Sequence, residues 1–247
     1  MNDKIKRAAE WIKNSRHTTV FTGSGISVES GIPSFRGKDG LWSRYDPGLF
    51  DIGYFFAHPE ESWALIKEIF FDNFGGAKPN HAHNAIAALE KMGYVKAVIT
   101  QNIDGLHQEA GSRTVYEFHG TYRTLSCLVC KFPYHAQAVS LEKLPPLCPR
   151  CKGTLKPDFI FFGEGIPPEV SVRSFEEAHA ADVFLVIGTT GEVMPACQVP
   201  QAAKENGAKI IEINIAPSYF TYGITDVFLQ GKAGEVMPLL LDSIDKS

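Results

Sequence analysis

Two cysteine pairs, one histidine and an Asn-x-Asp carry the chemistry that this sequence can do. Cys127-Leu-Val-Cys130 and Cys148-Pro-Arg-Cys151 each leave two residues between their thiols, with seventeen residues between the pairs. That spacing lets both sulfurs of a pair converge on one tetrahedral ion, and the doubled pair fills the four positions of a zinc ribbon. Four thiolates leave no open position, so the implied zinc ion is structural. Cys197, the fifth cysteine, stands apart in an apolar setting and reads as core. Between the first strand and these pairs lie Thr100-Gln101-Asn102-Ile103-Asp104 and then Phe118-His119-Gly120. Histidine titrates near neutrality, which makes His119 a candidate general base toward a hydroxyl. Asn102 and Asp104 add fixed polar groups. A structural histidine and strand-ending turn chemistry also account for these residues.

The elements that must position them follow from local pattern. Thr18-Thr19-Val20-Phe21-Thr22 is a short β-branched and aromatic run that ends in Gly23-Ser24-Gly25, the mark of a strand feeding a glycine turn and a helix start. Backbone amides in such a turn can face a diphosphate, although a lone G-x-G also makes an ordinary tight turn. Val95 to Thr100, Val183 to Ile187 and Lys209 to Ile213 are further buried-strand candidates. Helical patterns lie among them: Met1 to Ser15 with Ile5, Ala8, Ala9 and Ile12 recurring, His81 to Met92 with Ala85, Leu89 and Met92 on one face, and Gln201 to Asn206. Alternation of strand and helix predicts a parallel sheet covered on both faces. Gly23-Ser24-Gly25, Gln101-Asn102 and Gly188-Thr189-Thr190 each follow a strand, so they should share one carboxyl edge with Asn214, where nucleotides bind. Two stretches break the rhythm and suggest a second, smaller domain. One is Gly37 to Lys78, with a helix over Glu60 to Asn73; the other is the proline-rich Cys127 to Cys151.

Composition narrows the class. The 247 residues are 44% hydrophobic and 21% charged with a formal net charge of −4, which is ordinary globular composition without the basic surface that nucleic acid or anionic membrane demands. The N-terminal residues form an amphipathic helix and not an export signal, so reduced thiols and a cytoplasmic address are expected.

Taken together these residues resemble the sirtuins, NAD-dependent protein lysine deacylases of bacterial or archaeal short-chain type. The resemblance spans nearly the whole chain through Thr22-Gly-Ser-Gly-Ile-Ser27, Glu29-Ser-Gly-Ile-Pro-Ser-Phe-Arg-Gly37, Thr100-Gln-Asn-Ile-Asp104, His119-Gly120, the paired cysteines, Phe162-Gly-Glu164 and Gly188-Thr-Thr190. It implies an α/β fold: a Rossmann-type parallel sheet with helices on both faces (1–36, 80–120 and 157–247) and a smaller domain of zinc ribbon and helical insertion (37–79 and 121–156). It also implies that NAD is consumed as a co-substrate beside one structural zinc. By the same resemblance Gly23, Ser24, Gly25, Phe35 and Arg36 hold NAD, with Arg36 near the phosphates and Phe35 over the reacting ribose. Gln101, Asn102, Ile103 and Asp104 line the nicotinamide pocket. Gly188, Thr189, Thr190, Asn214, Lys232 and Ala233 face the ribose and adenine. Phe159, Ile160, Phe161 and Phe162 with Glu192 and Val193 sandwich an acyl-lysine peptide as an added strand. The catalytic set is His119, Asn102 and Asp104, with His119 as base on a ribose hydroxyl. The implied products are nicotinamide, free lysine and O-acyl-ADP-ribose.

Departures from the family pattern refine the expectation. Serine replaces the usual alanine in Gly23-Ser24-Gly25, and Gly191-Glu192 stands where many members have apolar residues, so a preference for basic residues beside the target lysine follows. Members that remove succinyl or malonyl groups carry Tyr-x-x-Arg where this chain has Ile66 and Ile69, which predicts neutral acyl groups, although both isoleucines also suit plain helix core. The expected partners are acyl-lysine proteins or peptides acted on by a monomer, with no direct nucleic-acid or membrane contact. Protein mono-ADP-ribosyl transfer is the alternative activity. A nucleotide-binding scaffold, an NAD hydrolase and a dehydrogenase fit the Asn-x-Asp, histidine and four-cysteine set less well.

Overall fold

Helix α1 (Asn2–Asn14) buries Ile5, Ala8, Ala9 and Ile12, the four positions that the i, i+3, i+4, i+7 spacing selects. The structure, a computed structural model, describes residues 2–37 and 40–245. Lys38 and Asp39, within the expected Gly37 to Lys78 insertion, lie outside the described residues, as do Met1, Lys246 and Ser247. After α1, β1 (Thr18–Thr22) leads into a 3-10 helix, Ser24–Ser30, where an α-helix start was expected, and Gly31 closes it at φ 89°. Short 3-10 turns at Leu41–Ser43 and Pro47–Phe50 precede α2 (Ile52–Ala57) and α3 (Pro59–Ile66). Then come α4 (His81–Lys91), β2 (Val95–Thr100), α5 (Leu106–Glu109), β3 (Val115–Glu117), β4 (Gly120–Cys127), β5 (Pro133–His135) and β6 (Leu155–Phe159). The chain ends with α6 (Pro168–Ala180), β7 (Val183–Ile187), α7 (Gln198–Glu205), β8 (Lys209–Asn214), β9 (Val227–Gln230) and α8 (Ala233–Asp245).

Six parallel strands form the main sheet in the order β3-β2-β1-β7-β8-β9. The chain runs outward from β1 in one direction and from β7 in the other, so a topological switch point opens between them. Alternate strand residues serve opposite faces. Val20, Val98, Leu185 and Ile211 pack with α1, α4 and α8, whereas Phe21, Ile99, Phe184, Val186 and Ile210 pack with α6 and α7 residues such as Ala178 and Val199. Met92 is the exception among expected core positions: it caps α4 and is 44% exposed, while Ala85 and Leu89 are buried.

A second, antiparallel sheet, β5-β4-β6, shares a separate core with α2 and α3. The helix expected over Glu60 to Asn73 changes character partway, becoming a π-helical segment over Lys67–Asn73. Its wider turn lets the consecutive Ile69 and Phe70 both face inward, at 1% and 4% exposure. Ile66 is buried there too. Trp63 ties the helices to the sheet by donating its indole N–H to the Leu155 carbonyl at 2.8 Å. β6 straddles residue 157, where the larger domain was expected to resume, because Leu155, Pro157 and Phe159 alternate into this second core. Among the described residues no helix is long and apolar enough to cross a membrane. Trp63→Ala should lower the unfolding free energy by about 3–5 kcal/mol. Trp63→Phe, which leaves the Leu155 carbonyl unpaired, should cost about 1–3 kcal/mol in the same urea titration.

Candidate active site at the switch point

Two turns touch backbone to backbone where β1 and β7 end. Gly23 N donates to Ile187 O at 2.9 Å and Gly25 N to Gly188 O at 2.8 Å. A Cβ on Gly23 would lie 2.8 Å from Gly188 O, one on Gly25 would lie 2.8 Å from Gly188 Cα, and one on Gly188 (φ 62°) would lie 2.5 Å from Ile26 N. Only glycine fits at all three. Ser24, held between two of them, opens onto a cleft that it shares with Phe35, Asn102, Ile103 and Asp104. Phe70, Phe74 and Tyr122 complete its aromatic wall.

The β2 end supplies the polar floor. Gln101 donates its amide to Thr22 O at 2.9 Å and its side-chain Nε2 to Thr189 Oγ1 at 3.1 Å, spanning β1, β2 and β7. Asn102 is 4% exposed, and its Nδ2 donates to Gly23 O (3.3 Å) and Ser27 Oγ (3.1 Å). Ser27 Oγ in turn donates to Asp104 Oδ2 at 2.7 Å, so Asn102 and Asp104 are linked through a hydroxyl that sequence reasoning had not singled out. The other Asp104 oxygen accepts Leu106 N at 2.9 Å and starts α5.

His119 stands between the fully buried Phe118 and Gly120, whose φ is 72° and whose Cβ would fall 2.1 Å from Asp158 O. Its Nδ1 is 3.1 Å from Gln101 O. A carbonyl only accepts, so Nδ1 carries the proton and Nε2 keeps the lone pair of a base. Burial pulls the His119 pKa below the ordinary 6.5, while the Gln101 carbonyl opposes that shift.

The remaining expected residues divide. Asn214 Nδ2 donates to Thr189 O at 2.9 Å and its Oδ1 accepts Ile215 N, so its side chain braces the Gly188–Thr190 turn. Thr190 is exposed and its carbonyl accepts Tyr219 N. Lys232 is exposed beside Glu235, whereas the Ala233 side chain is 6% exposed and packs in the main core. Phe159 and Phe161 are buried and stacked at 4.7 Å, Ile160 is half-buried, and Phe162 is 46% exposed. The amides of Ile160, Phe161 and Phe162 already donate to His119 O, Glu164 Oε2 and Phe50 O, which limits what that stretch can offer an added strand. Val193 O accepts Cys197 N. The Glu192 carboxylate, expected to face a peptide, lies 3.8 Å from Arg36 Nε.

Beneath Asp104 lie two buried histidines that sequence pattern left unassigned. His83 accepts Asn80 N in a capping box, and His107 Nε2 is 3.0 Å from Thr22 Oγ1; the two rings meet edge to face at 4.9 Å. Burial holds His83 down at about 4, against the pull of Asp104, and holds His107 well below 6.5 with help from His83. Both are therefore neutral at pH 7. The Asn80-x-x-His83 spacing was the one available signal.

In the ribbon, the four expected cysteine sulfurs lie within 4.8 Å of one another, with Cys127···Cys151 at 3.4 Å and Cys130···Cys148 at 3.7 Å. Tetrahedral zinc with bonds of about 2.3 Å sets its sulfurs roughly 3.8 Å apart, so the cluster fits that ion. Tyr134 Oη, 3.1 Å from Cys148 Sγ, supplies an outer hydrogen bond. Stripping the metal with a strong chelator should lower the melting temperature by at least about 10 °C and release one zinc per chain, as read by calorimetry and metal analysis.

The Sir2 family profile matches residues 23–195. The NAD-dependent protein deacylase 2 of Pyrobaculum aerophilum is 47% identical, over 96% of this chain and 95% of its own length. The NAD-dependent protein deacylase 2 of Archaeoglobus fulgidus is 45% identical, over 100% and 98%. Among solved structures, a Sir2 homologue–NAD complex superposes with a TM-score of 0.89 at 42% identity, covering 97% of this chain and 93% of the other. A Sir2–p53 peptide–NAD+ structure gives 0.90 at 34% identity, covering 98% and 99%. By sequence along nearly its whole length, and by the shape of both sheets, the chain belongs to the Sir2 family.

Proposed function

We propose that the protein is an NAD-dependent protein lysine deacylase that releases nicotinamide, free lysine and O-acyl-ADP-ribose. The observation that carries this reading is His119: a neutral imidazole with Nδ1 tied to Gln101 O and a free Nε2, set beside a glycine-lined crevice. The names of the relatives and the NAD and peptide complexes of the structural neighbours support it. Bound NAD would supply an electrophilic ribose carbon with nicotinamide as its leaving group.

The chain's own residues do the rest. Gly23, Ser24, Gly25 and Gly188 let the backbone approach a diphosphate, and the exposed guanidinium of Arg36 adds a cation. Phe35 offers an apolar face to the ribose. Gln101, Asn102, Ile103 and Asp104 hold the nicotinamide side, with Asn102 and Asp104 kept in register by Ser27. Thr189, Thr190, Asn214, Lys232 and Ala233 shape the adenosine side. His119 Nε2 accepts the proton of a ribose hydroxyl, and burial keeps it unprotonated at neutral pH. Cys127, Cys130, Cys148 and Cys151 would hold a structural zinc away from the proton transfer, which falls to His119.

An acyl-lysine peptide would lie between the segment after Phe162 and Glu192-Val193. Ile66 and Ile69 are each 1% exposed, so they serve as core, and no cation takes the place of the Tyr-x-x-Arg pair there. An acyl carboxylate would be buried unpaired, which favours acetyl and other neutral acyl groups. A reducing cytosol suits the four thiolates.

Incubation with an acetyl-lysine peptide, with and without NAD, tests the reading by mass spectrometry. NAD-dependent loss of acetyl with matching O-acetyl-ADP-ribose is expected, reduced at least about a hundredfold in His119→Ala. Succinyl-peptide turnover should be slower by at least about tenfold. Nicotinamide release with the acetyl group intact would sink the proposal in favour of ADP-ribosyl transfer or NAD hydrolysis. The pH profile offers a further check. A base works only when unprotonated, so with a depressed pKa the acid limb of kcat/KM should fall below the ordinary histidine value of 6.5.

A further inference from the structure

Lys156 and Glu164 form a partly buried ion pair, with Nζ 2.9 Å from Oε2 and side chains 11% and 25% exposed. The same ammonium donates to Pro157 O at 3.0 Å and Phe159 O at 3.1 Å, and it lies 4.5 Å from the centre of the Phe161 ring. Its three protons are thereby used. Glu164 Oε2 also accepts Phe161 N at 2.8 Å, and Glu164 N donates to Phe161 O at 3.0 Å. The pair therefore closes the turn from Phe159 to Glu164 from the inside. Burial pushes the Lys156 pKa down and Glu164 pulls it back. Charge kept at such a cost brings little net stability, since an apolar side chain of similar size would serve packing as well. What it does bring is a fixed geometry.

That geometry fixes the edge that borders the acyl-lysine peptide in the reading above. Along the backbone, the clamped segment donates Ile160 N to His119 O at 2.9 Å and Phe162 N to Phe50 O at 2.9 Å. Within the same segment Phe161 also stacks on Phe159 at 4.7 Å. A shift of the Glu164 carboxylate would move the edge beside His119. The glycine-lined nucleotide turn at Gly188 is not among these contacts.

We propose that Lys156 and Glu164 are positioning residues for the acyl-lysine substrate, acting through the Phe159–Glu164 turn and leaving NAD binding untouched. This rests on the deacylase reading above. The test is steady-state kinetics of Lys156→Met, Lys156→Arg and Glu164→Gln, with acetyl-peptide and NAD varied separately and melting temperatures recorded alongside. Lys156→Met should raise the peptide KM by about tenfold or more while the NAD KM stays within about twofold. Lys156→Arg, which keeps the charge and the donors, should recover most of the loss. A lower melting temperature with both KM values unchanged, or a parallel rise in both, would overturn the proposal. Should Lys156→Met fail to fold, Glu164→Gln decides on the same split, because it keeps an acceptor for Phe161 N and removes only the charge. Wild-type protein without NAD-dependent deacylation would refute the deacylase reading instead. Amide exchange then decides the clamp: faster exchange at Ile160 and Phe162 in Glu164→Gln supports it, and unchanged protection overturns it.

Discussion

The contact between Gly25 and Gly188 is the constraint on which the rest of the structure depends. Two loops can meet backbone to backbone at a switch point only if neither carries a Cβ at the crossing. Once they meet, β1 and β7 are locked edge to edge and the polar ends of β1, β2, β7 and β8 fall on one rim. Gln101 then reaches Thr189 across that rim, and Gln101 O fixes the tautomer of His119. The base is thus oriented by backbone. A carboxylate partner at that distance would have raised the imidazole's proton affinity; a carbonyl fixes direction with a smaller effect on charge.

Much of this was legible in the residues, because the signals were local. The spacing of Ile5, Ala8, Ala9 and Ile12 gave a helix face, and the two Cys-x-x-Cys pairs gave a sulfur cluster whose geometry suits zinc. Glycine turns after β-branched runs placed the polar residues on one sheet edge. What escaped was set by partners far along the chain. No pattern within Phe159 to Phe162 announces that their amides are already engaged by His119, Glu164 and Phe50. The π-helical register over Lys67–Asn73 answers to the facing rings of Phe159 and Tyr122, which lie more than fifty residues on. Met92 matched the periodicity of α4 and still ended exposed, since a helix terminus lacks the neighbour that would cover it.

The polar layer beneath the cleft has its own logic. Asn102 donates to Ser27 and Ser27 donates to Asp104, which keeps the two side chains in register. His83 and His107 sit behind it as neutral rings, and the Arg123 guanidinium lies against Gly105 beside it. Both Asp104 oxygens already accept, one from Ser27 Oγ and one from Leu106 N, so the carboxylate is fixed in direction at the cleft wall.

The second core is assembled mainly from two stretches of chain on either side of α4, β2 and β3, with Leu106 of α5 added from between them. Synthesis from the amino terminus exposes Phe50, Phe55, Trp63 and Phe70 well before Leu125, Leu155 and Phe159 exist to cover them. For that interval the nascent chain presents an uncovered aromatic surface, the kind of surface on which chains associate wrongly. The cysteine cluster closes the loop that brings those covering residues back. Gathering the four sulfurs thereby ties closure of the ribbon to the covering of that surface.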